Sequence, residues 1–157
     1  MKILIGSDHH GIETRLNLGR IIASQGHEVV DVGPTPDNAA PVDYPEIAAT
    51  VARAVSEGRA DRGVLICGTG IGMSIVANKF VGVRAAPVAD VSSVELSRKH
   101  NDLNVLCLSA EMLTEGMISE VVQTWLKSDF SGIARHARRL NRVSQIEQDQ
   151  IEKNRAS

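Results

Sequence analysis

Aromatic side chains are scarce in this 157-residue chain, where Phe, Trp and Tyr together make up 3%. Ile, Val, Leu and Ala must therefore fill any core, within a hydrophobic fraction of 43%. Cysteine is nearly as rare. Cys67 and Cys107 stand 40 positions apart, which makes neither a disulfide framework nor a zinc-ligand spacing. An excess of positive charge is missing too, since 17 Lys+Arg face 19 Asp+Glu, so the footprint of a nucleic-acid binder is absent. No apolar run approaches the roughly 18–20 residues of a membrane span. Met1-Lys2-Ile3-Leu4-Ile5 passes at once into Gly-Ser-Asp-His-His, without a hydrophobic segment of signal-peptide length. The expectation is a reduced, soluble, cytoplasmic protein that binds neither nucleic acid nor membrane. Its length suits one globular domain, and its hydrophobicity with a net charge of −2 argues against disorder.

What is present is a regular alternation. Ile3–Ile5, Val29–Val32, Val64–Cys67, Val83–Val88 and Val105–Leu108 read as strands bounded by Gly, Asp or Asn. They hardly alternate apolar with polar, as expected of strands covered on both faces. Between them lie helical spacings: Ile12, Leu16 and Ile22, with Gly26 to end the helix; Ile47, Val51, Ala54 and Val55, closed by Gly58; and Ile118, Val121, Val122, Trp125 and Leu126. Strand alternating with helix predicts an α/β fold, a five-stranded parallel sheet with helices on both faces in three layers. Asp31 to Pro45 holds four of the five prolines and reads as a loop of binding length. Residues 1–145 form the expected domain. Residues 146–157 form a tail whose Ile146 and Ile151 make one helical stripe, suited to packing on a partner subunit.

Ligands of open α/β sheets bind beyond the carboxyl ends of the strands. The first strand exits into Gly6-Ser7-Asp8-His9-His10-Gly11 and the third into Cys67-Gly68-Thr69-Gly70-Ile71-Gly72. Glycines at 68, 70 and 72 allow backbone N–H groups to converge on an anion, helped by the next helix N-terminus. The competing reading is that they make only a tight turn. A dinucleotide fingerprint would need glycine where Met73 stands, although Asp90 lies about where a ribose-binding acid belongs. Cys67 is either a small core residue or, at a helix N-terminus where thiol pKa values fall, a nucleophile or base. Cys107 reads as core. Neighbouring residues leaving a strand point apart, so His9 and His10 are not expected to share a metal. His100 ends a helix, where a histidine suits the dipole or does acid–base work. Arg135 and Arg139 share a helical face, as a phosphate clamp or as a solvated basic face.

These segments carry a resemblance. Gly6-Ser7-Asp8-His9, Asp43-Tyr44-Pro45, Ile66 to Gly72, Ala77-Asn78-Lys79, Arg84-Ala85, Ser97 to Asn104 and Arg135-His136 occur in the order and spacing of one family. The chain resembles the ribose-5-phosphate isomerase B family, kin to galactose-6-phosphate isomerase, from Met1 to about residue 150. The resemblance implies a Rossmann-like fold and a cofactor-free, metal-free aldose–ketose isomerase acting on a sugar phosphate. It implies a homodimer, or a dimer of dimers, whose active sites are shared between subunits. Cys67 would be the base that moves a proton between C1 and C2 through a cis-enediolate. His100 would open the furanose ring, and Thr69 would join the catalytic group. Asp8 and Tyr44 would contact the sugar and His9 the phosphate. Gly68, Thr69, Gly70, Gly72 and Ser74 would form the anion hole with Asn101 beside it, and Arg135 and Arg139 would hold the phosphate. Two residues depart from the pattern: Glu111 stands where an arginine is usual, and His10 where a small residue is usual. Ribose 5-phosphate is the expected substrate. A six-carbon sugar phosphate, or phosphosugar binding without turnover, are the competing readings.

Overall fold

The computed structural model describes residues 1–35 and 42–156. Five strands, β1 (Lys2–Ser7), β2 (Glu28–Asp31), β3 (Arg62–Cys67), β4 (Ala85–Pro87) and β5 (Val105–Ser109), form one sheet in the order β2-β1-β3-β5-β4. Every pairing is parallel. Six helices accompany them: α1 (Ile12–Ser24), α2 (Tyr44–Ser56), α3 (Ile71–Ala77), α4 (Val91–Asn101), α5 (Glu115–Lys127) and α6 (Ala134–Ala156). The architecture is the expected three-layer, Rossmann-like α/β fold.

The continuous apolar runs are explained by two cores rather than one. Successive strand residues face opposite sides of a sheet. Val64, Ile66, Leu106 and Leu108 pack with residues of α1, α4 and α5, including Leu18, Val94 and the fully buried Trp125. Leu65, Cys67, Val105 and Cys107 pack with Ile47, Val51 and Ala52 of α2 and Met73 and Ala77 of α3. The spacings read in α2 and α5 are realised almost residue for residue, with Ile118, Val121, Val122, Trp125 and Leu126 all buried.

Three expectations are corrected. The fourth strand is shorter than Val83–Val88: the Arg84 N–H turns to the Asn104 side chain at 2.7 Å, and Pro87 has no N–H for a ladder. In α1 the buried residues are Arg15, Leu18 and Ile22, while Leu16 is only half-buried. Arg15 displaces it because its donors find partners: Nη1 reaches Ser7 Oγ at 2.7 Å, Nε an Asp31 carboxylate oxygen at 2.9 Å, and Nη2 the Pro34 carbonyl. Gly33 lies flat against this guanidinium, where any Cβ would collide with it. Finally, the stretch from Asp31 to Pro45 is not all loop. Asp31 closes β2, Tyr44 and Pro45 open α2, and residues 36–41 lie outside the described residues.

The crossovers decide which residues meet. α4 starts beyond the carboxyl end of β4 and ends at Asn101, so it carries the chain back to the amino edge before β5 begins at Val105. Its last turn is fixed by Asp102, which sits in left-handed backbone at φ 48° and binds Arg84 at 2.8 Å and Arg98 at 2.7 Å. α6 is polar, with only His136 buried, and runs unbroken through residue 145. Leu140 and Val143 of α6 face Arg84, Ala85 and Ala86 across a shallow groove, and Glu147 accepts the Gly82 N–H at 2.9 Å. Among the described residues no helix is long and apolar enough to cross a membrane.

Arg15 supplies a stability test. Asp31→Ala would leave a guanidinium that is 1% exposed without its carboxylate. Because Asp31 is 38% exposed and Arg15 keeps two other acceptors, the loss should cost about 1–2 kcal/mol, read as a lower midpoint in urea denaturation. An unmoved midpoint would refute the role given to this pair.

Candidate active site

β1 is flanked by β2 on one side and by β3 on the other, so the chain order reverses between β1 and β3. A crevice opens at such a switch point, beyond the carboxyl ends. Asp8 and the loop from Cys67 to Gly72 both arrive there. Asp8 is tied across it, its N–H donating to the Ile66 carbonyl at 3.2 Å. Its buried carboxylate accepts the His10 N–H at 2.9 Å and caps a turn of 3-10 helix from His9 to Gly11. That turn brings the His9 and His10 rings to 4.2 Å between centroids, where an extended exit would have pointed them apart. The correction has a local cause: the Asp8 cap curls the chain at once.

Cys67 ends β3 and is 6% exposed. Its Sγ receives the Gly70 N–H at 3.1 Å, so a backbone donor points at the atom where thiolate charge would reside. Gly70 holds φ +75°, and a Cβ there would press on the Leu108 backbone, so the turn demands glycine. Thr69 is exposed beside it and accepts the Ile71 N–H at 3.3 Å. The Tyr44 ring covers Gly72 and leaves no space for a Cβ at that position. Ser74 lies inside α3, its hydroxyl donating to the Ile71 carbonyl at 2.8 Å. Gly68 is overlain by the Glu111 carboxylate, whose oxygen meets His10 Nδ1 at 3.1 Å. Asp8, His9, Tyr44, Cys67, Gly68, Thr69, Gly70, Gly72 and Ser74 thus gather at one edge.

His100, Asn101, Arg135 and Arg139 do not join them. They lie at the amino edge, where α4 ends and α6 begins. The strand register sets Gly63 against Val105 and Cys67 against Ser109, so about 13 Å of strand separates the two edges. The His100 ring lies 4.3 Å from that of His136, tilted by 48°, and Asn101 lines the groove below α6. Arg135 and Arg139 are exposed. Asp90 is spent as the cap of α4, accepting the Ser93 N–H at 2.8 Å and its hydroxyl at 2.6 Å. Burial, and then the neighbouring Cys67, pushes the Cys107 thiol far above its ordinary value, in keeping with a core residue. Among the described residues, no group of three or more His, Cys, Asp or Glu side chains is placed to hold a metal ion.

Comparison with known proteins places this arrangement. Residues 3–143 match the family model described as Ribose/Galactose Isomerase. The chain belongs to that family. It is an isomerase by that membership. The chain is similar to ribose-5-phosphate isomerase B of Escherichia coli, 40% identical over 147 residues that cover 94% of this chain and 97% of the relative. It is similar to a 4-deoxy-4-sulfo-D-erythrose isomerase of a Clostridium species, 37% identical over 83% of this chain and 82% of the relative. Ribose-5-phosphate isomerase B of Mycoplasma genitalium, solved with bound ribulose 5-phosphate, superposes with a TM-score of 0.88 at 38% identity, covering 94% of this chain and 96% of that one.

At these edges Arg15 carries no signal of its own in the sequence, and His136 none beyond its place in the Arg135-His136 match. Arg15 looks like an ordinary surface position of an amphipathic helix, and His136 is one member of a basic run. His136 is nevertheless 2% exposed, with Nδ1 at 2.8 Å from Ser131 Oγ and Nε2 accepting from Arg135 Nε at 3.1 Å. An acceptor at Nε2 requires the neutral ring. Burial first, then His100, Arg135 and Arg139, holds its pKa below the ordinary 6.5.

A pH dependence follows with a definite sign. The unfolded chain binds this proton more readily, so the stabilisation is complete above pH 6.5 and is lost as the pH falls toward the folded value. Amide protection in the first turns of α6 should therefore begin to drop as the pH falls below about 6.5, and His136→Gln should flatten the profile. Protection that rises on acidification would contradict this account.

Proposed function

We propose that the chain interconverts ribose 5-phosphate and ribulose 5-phosphate, with Cys67 as the base. The observation that supports this most strongly is the delivery of Cys67 to the switch point with the Gly70 N–H on its sulfur. In the open-chain aldose, the thiolate removes the proton from C2. The electron pair forms the C1–C2 double bond of a cis-enediolate, and the C1 carbonyl oxygen takes the charge. The thiol then returns the proton to C1, while the O2 proton moves to O1. Charge develops on the two oxygens, which suits backbone N–H groups of the Gly68 to Gly72 loop and Thr69 beside them. The glycines give such donors close access. Asp8 and Tyr44 flank the sugar, and His9 lies where the phosphate would rest. Ser74 supports the loop from within α3.

The ring-opening His100, Asn101 and the phosphate-holding Arg135 and Arg139 belong to the same reading, yet lie at the other edge of the sheet. We infer that a second copy supplies them, its amino edge apposed to this carboxyl edge in a homodimer or a dimer of dimers. The tail from residue 146, which runs to Ala156 as the end of α6, then packs on the partner. No cofactor enters the scheme, and two free thiols suit a cytoplasmic enzyme.

The deciding experiment measures turnover with EDTA present, using ribose 5-phosphate beside allose and galactose 6-phosphates. Wild type should convert the pentose, and Cys67→Ala should lose about 10³-fold in kcat. Turnover of hexoses alone would keep the mechanism and move the substrate. Binding without any turnover would leave a phosphosugar-binding module. Shared sites give a second expectation: Cys67→Ala and His100→Asn proteins, each inactive, should regain about a quarter of wild-type activity once their subunits exchange. No regain after demonstrated exchange would place each site within one chain.

A further inference from the structure

One group at the carboxyl edge has no part in that scheme. Glu111 follows β5 by two residues, and its N–H donates to the Gly68 carbonyl at 3.3 Å. Ser109 tethers the same turn, its hydroxyl donating to the Gly68 carbonyl and accepting the Met112 N–H at 2.9 Å. The side chain folds back over the loop, so that Oε1 lies 2.9 Å from the position a Cβ on Gly68 would occupy. The carboxylate therefore rests on the residue next to Cys67. The side chain is 57% exposed, so the carboxylate sits at the open rim of the crevice.

The charges around it are few. Glu111 pairs with His10 Nδ1 at 3.1 Å, and the His10 ring contacts that of His9 at a 40° tilt. Asp8 supplies a second carboxylate, bound to the His10 N–H. Arg15 is committed to Asp31, Ser7 and Pro34, and the α6 arginines lie at the far edge of the same chain. Besides the arginines that the proposed second copy would bring to this edge, an anion arriving beside His9 thus meets the Glu111 carboxylate at the rim and two imidazoles of its own chain. Repulsion scales with the charge of the incoming group, so a dianion is penalised about twice as much as a monoanion of similar size.

We propose that Glu111, held in place by His10, is a specificity-determining residue that sets the charge accepted on the substrate's terminal group. It narrows the advantage of a doubly charged phosphate and admits a singly charged headgroup, such as a sulfonate, on more equal terms. The inference rests on the isomerase reading above, in which the terminal anion lies against His9.

The test compares ribose 5-phosphate with its 5-deoxy-5-sulfo analogue at pH 7.5. There the phosphate ester is mainly the dianion, its second pKa being about 6, and the sulfonate is a monoanion. Affinities are measured by calorimetry, and kcat/KM where turnover occurs. Glu111→Gln keeps the shape and removes the charge, and should shift the phosphate-to-sulfonate ratio about fivefold toward phosphate. Glu111→Lys should shift it further the same way, about twentyfold, and added salt should shrink both shifts. A ratio that stays within twofold in Glu111→Gln would overturn the proposal. Shifts that ignore the order of charge, or that salt leaves untouched, would overturn it too, because a purely structural role behaves that way. Wild type that binds both ligands and converts neither would sink the isomerase reading alone, since the binding ratio still decides the filter. Binding of neither would sink both.

Discussion

The parallel pairing of β1 with β3 is the constraint on which the carboxyl edge depends. Ile3 to Ser7 run beside Arg62 to Ile66 in register, so both strands release their chains at the same level. The contact continues past the last ladder pair, through the bond from the Asp8 N–H to the Ile66 carbonyl. Gly11 is pressed so closely on Ile66 that no side chain would fit there. Asp8 and the start of the Cys67 loop are thereby positioned by backbone, and the Asp8 carboxylate in turn curls the two histidines into place. Such a site tolerates changes of side chain without losing its frame, which suits a family whose relatives are named for different sugars.

The amino edge is organised by a different device. Asp102 takes a left-handed conformation and bridges Arg84 and Arg98, while Asn104 binds the backbone of Gly82 and Arg84. Arg98 in turn reaches the Leu103 carbonyl at 2.7 Å. Much of the stretch from Ser97 to Asn104 is therefore scaffolding; Lys99 is exposed but paired with Glu95, while half-buried His100 and exposed Asn101 have functional groups to offer. A motif dense in polar residues need not be dense in catalytic ones.

The fold was legible because parallel strands buried on both sides and amphipathic helices write themselves as contrasting apolar periods. The α5 positions illustrate it, since each apolar residue in the spacing is buried. The carboxyl-edge residues were legible for the same reason: topology alone sends strand exits to one place. The misses are of another kind. Arg15 is buried because distant residues, Ser7, Asp31 and Pro34, happen to satisfy it, and no local period reports that. His9 and His10 meet because Asp8 caps a turn of three residues, too short to leave a pattern. The 13 Å between the two edges follows from the register of β3 with β5, which strand identities do not specify.

The outer rims of the sheet have their own logic. A parallel sheet of five strands ends in two open ladders, and an open ladder invites another chain to add a strand. At one rim β2 is four residues long and carries Glu28 and Asp31 at its ends. At the other, β4 has three residues, and its last, Pro87, cannot donate a hydrogen bond. Here α6 runs alongside, with Leu140 and Val143 opposite Arg84 to Ala86 and Glu147 holding the Gly82 N–H. The long polar helix thus flanks the sheet's shortest edge strand while contributing almost nothing to the core.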